Sequence, residues 1–166
     1  LLQKGYRVVG VTRNNHSSNK SKLEYLKISS DIEIYECDLS DLSSVLNMFN
    51  LYKPNEIYNL AAQSSVGLSF TQPIGTLQYN IVSVLNLLES IRIVSPNTRF
   101  YQASSSEMYG MVKELPVNIS TPMHPLSPYA ISKCTAYWIV VNYRESYGLH
   151  ASNGVLFNHE SFLRTN

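Results

Sequence analysis

Phe100-Tyr101-Gln102-Ala103-Ser104-Ser105-Ser106-Glu107-Met108-Tyr109-Gly110 opens as an aromatic-rich β-strand and runs into hydroxyls, a carboxylate and a stopping glycine. Four further runs carry the same apolar, strand-like character: Tyr6 to Thr12, Ile32 to Asp38, Glu56 to Leu60 and Ser152 to Phe157. Helical patterns separate them. Leu42, Val45, Leu46 and Phe49 fall on one face after a Ser40/Asp41 cap. Ile74, Leu77, Ile81, Val84, Leu85, Leu88 and Ile91 mark a long helix opened by Pro73. Strands alternating with helices predict an α/β fold with a Rossmann-like, doubly wound parallel sheet. In such a sheet the reactive groups gather at the carboxyl ends of the strands, which is where Ser105 and Glu107 fall.

The segment Ser127-Pro128-Tyr129-Ala130-Ile131-Ser132-Lys133 begins a further helix. Ser127 reads as its N-cap and Pro128 as its first residue, because a residue before proline is biased to the extended geometry a cap needs. Tyr129 and Lys133 lie four apart, so one helical turn stacks them on one face. A free tyrosine has a pKa of about 10, and a nearby ammonium favours its phenolate. Ser105, Glu107, Tyr129 and Lys133 together form a candidate proton-handling set for an alcohol or sugar hydroxyl.

Bulk properties frame this reading. The chain has 166 residues, 44% of them hydrophobic, and a net charge of +1. That composition describes an ordinary globular domain of at most one core, and residues 1–166 read as part of one NAD(P)-binding domain. Without a charge block or a long apolar run, neither a nucleic-acid nor a membrane partner is expected. Cys37 and Cys134 match no metal-ligand spacing and form no disulfide framework, so no metal is expected and a reducing cytoplasm is the default. The loop from Asn14 to Lys22 is rich in Asn and Ser.

The order of elements implies a gap. The doubly wound sheet has strand order 3-2-1-4-5-6, with a glycine-rich phosphate loop after strand 1. Leu1-Leu2-Gln3-Lys4 looks like the end of the helix that follows that loop, and Gly5 stops it. The strand from Tyr6 to Thr12 then takes the place of strand 2. The expectation is a truncated sheet whose strand 1 is missing and whose neighbouring edges are left unpaired.

Asn59-Leu60-Ala61-Ala62-Gln63-Ser64, Tyr101 to Glu107, Ser127-Pro128-Tyr129-Ala130, Ala136-Tyr137-Trp138-Ile139-Val140-Val141-Asn142-Tyr143-Arg144-Glu145 and Leu156-Phe157-Asn158-His159-Glu160-Ser161 give the chain a more specific likeness. It closely resembles the GDP-mannose 4,6-dehydratases of the extended short-chain dehydrogenase/reductase family. The resemblance implies NADP as cofactor and GDP-mannose as substrate. It also implies a homodimer or homotetramer, with Ser105, Glu107, Tyr129 and Lys133 as catalytic groups.

Arg13 follows the second strand with no acid beside it, in the place where a carboxylate selects NAD and an arginine suits the 2′-phosphate of NADP. By resemblance, Asp38 and Leu39 would contact the adenine. Leu60, Ala61, Ala62, Ser64, Lys133, His159 and Arg164 would complete the cofactor site, and Asn158 would touch substrate. The family carries a second arginine where this chain has Asn14, and a tyrosine where it has Gly75.

The implied chemistry is oxidation at C4 of the sugar with Tyr129 taking the hydroxyl proton. Glu107 then removes the C5 proton, water leaves from C6, and hydride returns to C6. Three alternatives stand beside it: an epimerase or reductase of the same superfamily, a dehydratase of another nucleotide sugar, and a non-catalytic piece of a longer enzyme.

Overall fold

The structure is a computed structural model that describes residues 1–14 and 22–161. Most of the Asn/Ser-rich loop, and Arg164, lie outside the described residues. The chain divides into two compact units, one containing Leu1–Asp38 with Glu160 and Ser161, the other Leu39–His159.

In the first unit a 3₁₀ turn, Leu2–Lys4, ends at Gly5, whose φ of 78° is the left-handed geometry that glycine adopts without a Cβ penalty. Strands β1 (Val8–Thr12) and β2 (Ile32–Glu36) pair in parallel from Val8↔Ile32 to Thr12↔Glu36. The ladder runs one bond further, with Cys37 N donating to Thr12 O at 2.9 Å.

The second unit holds a three-stranded parallel sheet of β3 (Glu56–Asn59), β4 (Arg99–Ser105) and β5 (Ala151–Leu156), ordered β3-β4-β5. Its helices are α1 (Leu42–Tyr52), α2 (Val66–Thr71), α3 (Pro73–Val94) and α4 (Pro128–Tyr147). The order 3-2-1-4-5-6 without its strand 1 leaves the sets 3-2 and 4-5-6. The described residues form two sheets of those memberships. Among the described residues no helix is long and apolar enough to cross a membrane.

The caps follow the sequence reading. Asp41 opens α1 by accepting from the N–H groups of Ser43 and Ser44, and these bonds with the Ser44 hydroxyl hold its carboxyl below the usual carboxylate range. Ser127 opens α4 by accepting from Ala130 N at 3.0 Å, with Pro128 in the first turn. Helix α3 departs from the expected stripe. Ile74 is 71% exposed, whereas Thr76, Asn80, Ser83, Leu87 and Ser90 are buried with Val84, Leu88 and Ile91. The helix packs against both α1 and α4. Small polar side chains let backbones approach on one side, so apolarity found Val84, Leu88 and Ile91 but missed the polar part of the buried face.

The core of this unit is Val45, Phe49, Val84, Leu88, Ile91, Phe100, Met108 and Val140, all fully buried. At the far ends of α3 and α4, the Tyr143 hydroxyl donates to Glu89 at 2.5 Å, and Arg92 bonds the same carboxylate. Arg92 and the Tyr143 hydroxyl hold Glu89 below its ordinary value, and burial pushes the Tyr143 phenol well up.

After β4 the chain makes a 3₁₀ turn (Ser106–Met108), leaves as a loop, and comes back to its own start. His124 N donates to Met108 O at 3.1 Å, and Met111 N to His124 O at 3.4 Å. Gly110 sits inside this return with φ +50°, and a Cβ there would lie 1.9 Å from His124 O. Gly110→Ala should therefore destabilise the protein by about 1–3 kcal/mol through left-handed strain alone. The carbonyl clash adds to that. A thermal midpoint within a degree of the parent's would show that the return is not anchored there.

Candidate active site

Four local devices bring the candidate residues to one place. Strand β4 ends at Ser105, whose hydroxyl accepts from Glu107 N at 3.2 Å and so starts the 3₁₀ turn that presents Glu107. The Met108–His124 return then delivers Ser127, the α4 cap, beside that turn. The first turn of α4 places Tyr129, and the second Lys133. Tyr129 and Lys133 are both buried, Ser105 is half-buried and Glu107 is exposed.

The Ser105 hydroxyl and the Glu107 carboxylate both act on the Tyr129 phenol. Burial, the largest influence, raises its pKa; the Ser105 hydrogen bond lowers it and the Glu107 carboxylate raises it again. The simple expectation that Lys133 shifts Tyr129 toward phenolate is not what this geometry gives. The ammonium lies 5.8 Å from the centroid of the Tyr129 ring and donates to Ala103 O at 2.8 Å. Burial lowers the Lys133 pKa from 10.5 to about 8. An ammonium has three donors, and Ala103 O is the one hydrogen-bond partner found for it among the described residues. Two N–H groups therefore remain for a hydroxylated ligand, a donor set that fits a ribose next to a nicotinamide.

The loop after β3 holds the other candidates of this unit. Leu60 and Ser64 are exposed and Ala61 and Ala62 half-buried, so small residues line a backbone open to a ligand. The loop is pinned by Asn80, which accepts from Gln63 N at 2.8 Å and donates to Gln63 O and to the Ser132 hydroxyl. Ser132 in turn donates to Tyr129 O at 2.6 Å. One buried amide thus ties this loop to the helix that carries Tyr129 and Lys133. The sequence reading missed Asn80; its signal was a polar residue in the middle of an apolar helix.

The remaining candidates lie on other segments of the chain. Leu39 is buried, with its carbonyl accepting from Asn86 at 2.9 Å. Asn158 and His159 are exposed after β5, and His159 Nδ1 lies 2.6 Å from Phe157 O. Arg13 and Asp38 belong to the first unit, each exposed just beyond a strand end. Arg164 lies outside the described residues. Among the described residues no group of three His, Cys, Asp or Glu side chains is placed to hold a metal ion.

Residues 1–166, the whole chain, match the profile of the family described as GDP-mannose 4,6 dehydratase. The chain belongs to that family. It is 48% identical to the GDP-mannose 4,6-dehydratase of Sinorhizobium fredii, over 99% of this chain and 49% of the relative. The chain spans about half the length of the curated relatives it matches. Among solved structures, the UDP-Glc/GlcNAc 4-epimerase of Campylobacter jejuni superposes with a TM-score of 0.82 over 94% of this chain and 46% of its own. At 23% identity that likeness establishes the fold. RMD of Pseudomonas aeruginosa, solved with NADPH, is 28% identical with a TM-score of 0.74, covering 92% of this chain and 53% of its own.

Lys133 should lose its proton as pH rises through about 8 instead of its ordinary 10.5, so the cation is present below that pH and gone above it. The ¹³Cε shift of Lys133, assigned by its absence in Lys133→Arg, reads this midpoint directly. A midpoint above 10 would mean that the lysine is solvated.

Proposed function

We propose that the full-length protein converts GDP-mannose to GDP-4-keto-6-deoxymannose with NADP as its cofactor. The observation that carries this reading is Glu107. It stands in the middle of the 3₁₀ turn capped by Ser105, close enough to Tyr129 to act on its titration. Oxidising an alcohol needs one proton acceptor and its tuning cation; removing water from the neighbouring carbons needs a second acid–base group. Membership of the dehydratase family supports the same assignment.

The residues divide the work as follows. Tyr129 takes the proton from the 4-hydroxyl, with the Ser105 hydroxyl partly offsetting the burial that otherwise keeps the phenol protonated, and Lys133 offers its remaining N–H groups to the cofactor ribose. The 4-keto group acidifies the C5 hydrogen, and Glu107 removes it. The departing C6 hydroxyl then receives a proton from Glu107 or from Ser105, so atoms and charge balance as one water. When bound, the nicotinamide supplies the oxidation at C4 and the reduction at C6, with no net redox change. By the family resemblance, Leu60, Ala61, Ala62, Ser64 and Lys133 would hold it, and Arg13, Asp38 and Leu39 would contact its adenosine end. Asn158 would contact the sugar nucleotide, while His159 and Arg164 would support the cofactor. We assign the enzyme to the cytoplasm, in keeping with its having only two cysteines, and, from the family resemblance, to a homodimer or homotetramer.

Glu107→Gln tests the reading. The variant should keep C4 oxidation but lose exchange of the C5 hydrogen with deuterated water. Exchange at the parent's rate would place the base elsewhere. An unaltered product in that variant would favour an epimerase or reductase.

The choice of NADP rests on Arg13, a cation with no acidic residue beside it in sequence. Arg13→Ala should weaken NADP binding by about 1.5–3 kcal/mol, the worth of one hydrogen bond to a charged group, and leave NAD binding nearly unchanged. Equal losses for both cofactors, measured by titration calorimetry on the full-length protein, would show that Arg13 does not read the 2′-phosphate.

A further inference from the structure

Strand β4 has neighbours on both sides, and its backbone groups alternate between them. Arg99 N bonds Asn55 O on the β3 side, and Phe100 N bonds His150 O on the β5 side. By that alternation Ala103, four residues after Arg99, directs its carbonyl to the β3 side. The β3–β4 register runs from Glu56↔Arg99 to Asn59↔Gln102. Continued by one step in a parallel ladder, it would pair Leu60 with Ala103 and bring the Ala61 N–H onto Ala103 O. The structure does something else. Ala61 N donates to the Asn59 side chain, Oδ1, at 3.2 Å. Asn59 Nδ2 donates across to Gln102 Oε1 at 2.8 Å, and Gln102 Nε2 donates to Ala103 O at 3.2 Å. The ladder stops, and the carbonyl it would have used accepts from Lys133 Nζ.

Two side-chain amides, 4% and 1% exposed, therefore stand at the point where two strands part, and all the bonds found for them serve that parting. Burying two primary amides in a sheet costs free energy unless each is bonded, and aliphatic side chains would fill the space without that demand. We propose that Asn59 and Gln102 are positioning residues for Lys133: their paired amides hold the β3–β4 ladder open at its carboxyl end and reserve the Ala103 carbonyl for the lysine ammonium. The same bonds hold the Ala61 N–H, so one buried network sets both the lysine and the backbone of the loop after β3. The proposal rests on the reading of Lys133 as part of the proton-handling set. The titratable groups of that set are Tyr129 on the lysine's own helix and Glu107 from the 3₁₀ turn, and the hydrogen bonds of the two amides go to neither.

The test is the Lys133 midpoint in the full-length protein, followed by ¹³Cε shift without turnover, alongside the alkaline limb of kcat. In Asn59→Ala the Ala61 N–H is freed to close on Ala103 O, so the ammonium loses its acceptor and its midpoint should fall by about one unit. Gln102→Met, which removes donor and acceptor at nearly constant volume, should move it the same way. Gln102→Glu keeps the shape and adds an anion close to the ammonium, so it should raise the midpoint; this near-isosteric variant keeps the test decisive if the others fold poorly. A merely structural pair would lower the melting temperature and leave all three midpoints at the parent's value, and that result overturns the proposal. Midpoints that shift while the kcat limb stays put would uphold the positioning role and refute the use of Lys133 in turnover.

Discussion

A buried ammonium must have an acceptor. Lys133 is 5% exposed, and its bond to Ala103 O is what makes that burial tolerable. The requirement reaches outward in three directions. It needs a strand carbonyl with no ladder partner, which the parting of β3 from β4 supplies. It needs α4 to lie against β4 at a fixed register, which Ser127, Pro128 and the Met108–His124 return arrange. It also places Tyr129, one turn earlier on the same helix, against Ser105 and within the field of Glu107. The geometry of the candidate site and that of the sheet thus share one constraint.

Burial acts on the two central groups in opposite senses. It raises the tyrosine, favouring the neutral phenol, and lowers the lysine to about 8, weakening the cation. The two shifts move the groups apart, so the phenol keeps its proton while the lysine is the group that titrates near pH 8. A hydroxyl relay through Ser105 is well placed in such a site, because it favours the phenolate without adding charge.

Much of this was legible in the sequence. Five strand runs, the Asp41 and Ser127 caps and the Tyr129/Lys133 spacing are local signals, set by periodicity and by the few residues able to satisfy helix ends. The split into sheets of two and three strands followed from where the strands fell in the doubly wound order. What was not legible depends on neighbours far along the chain. Thr76, Asn80, Ser83 and Ser90 look like an exposed face of α3 until α1 and α4 are packed on it. Asn59 and Gln102 look like chance polar residues in apolar strands until residues 43 apart meet across the sheet. The direction of the Tyr129 shift was also hidden, since spacing says nothing of burial.

The central claim is that one site oxidises C4, removes water across C5 and C6, and reduces C6. GDP-mannose deuterated at C4, turned over by the full-length protein, tests it most directly. The label should appear in the methyl group at C6 of a 4-keto-6-deoxy product. Label retained at C4, or found only in the reduced-cofactor pool or in solvent, would contradict the account.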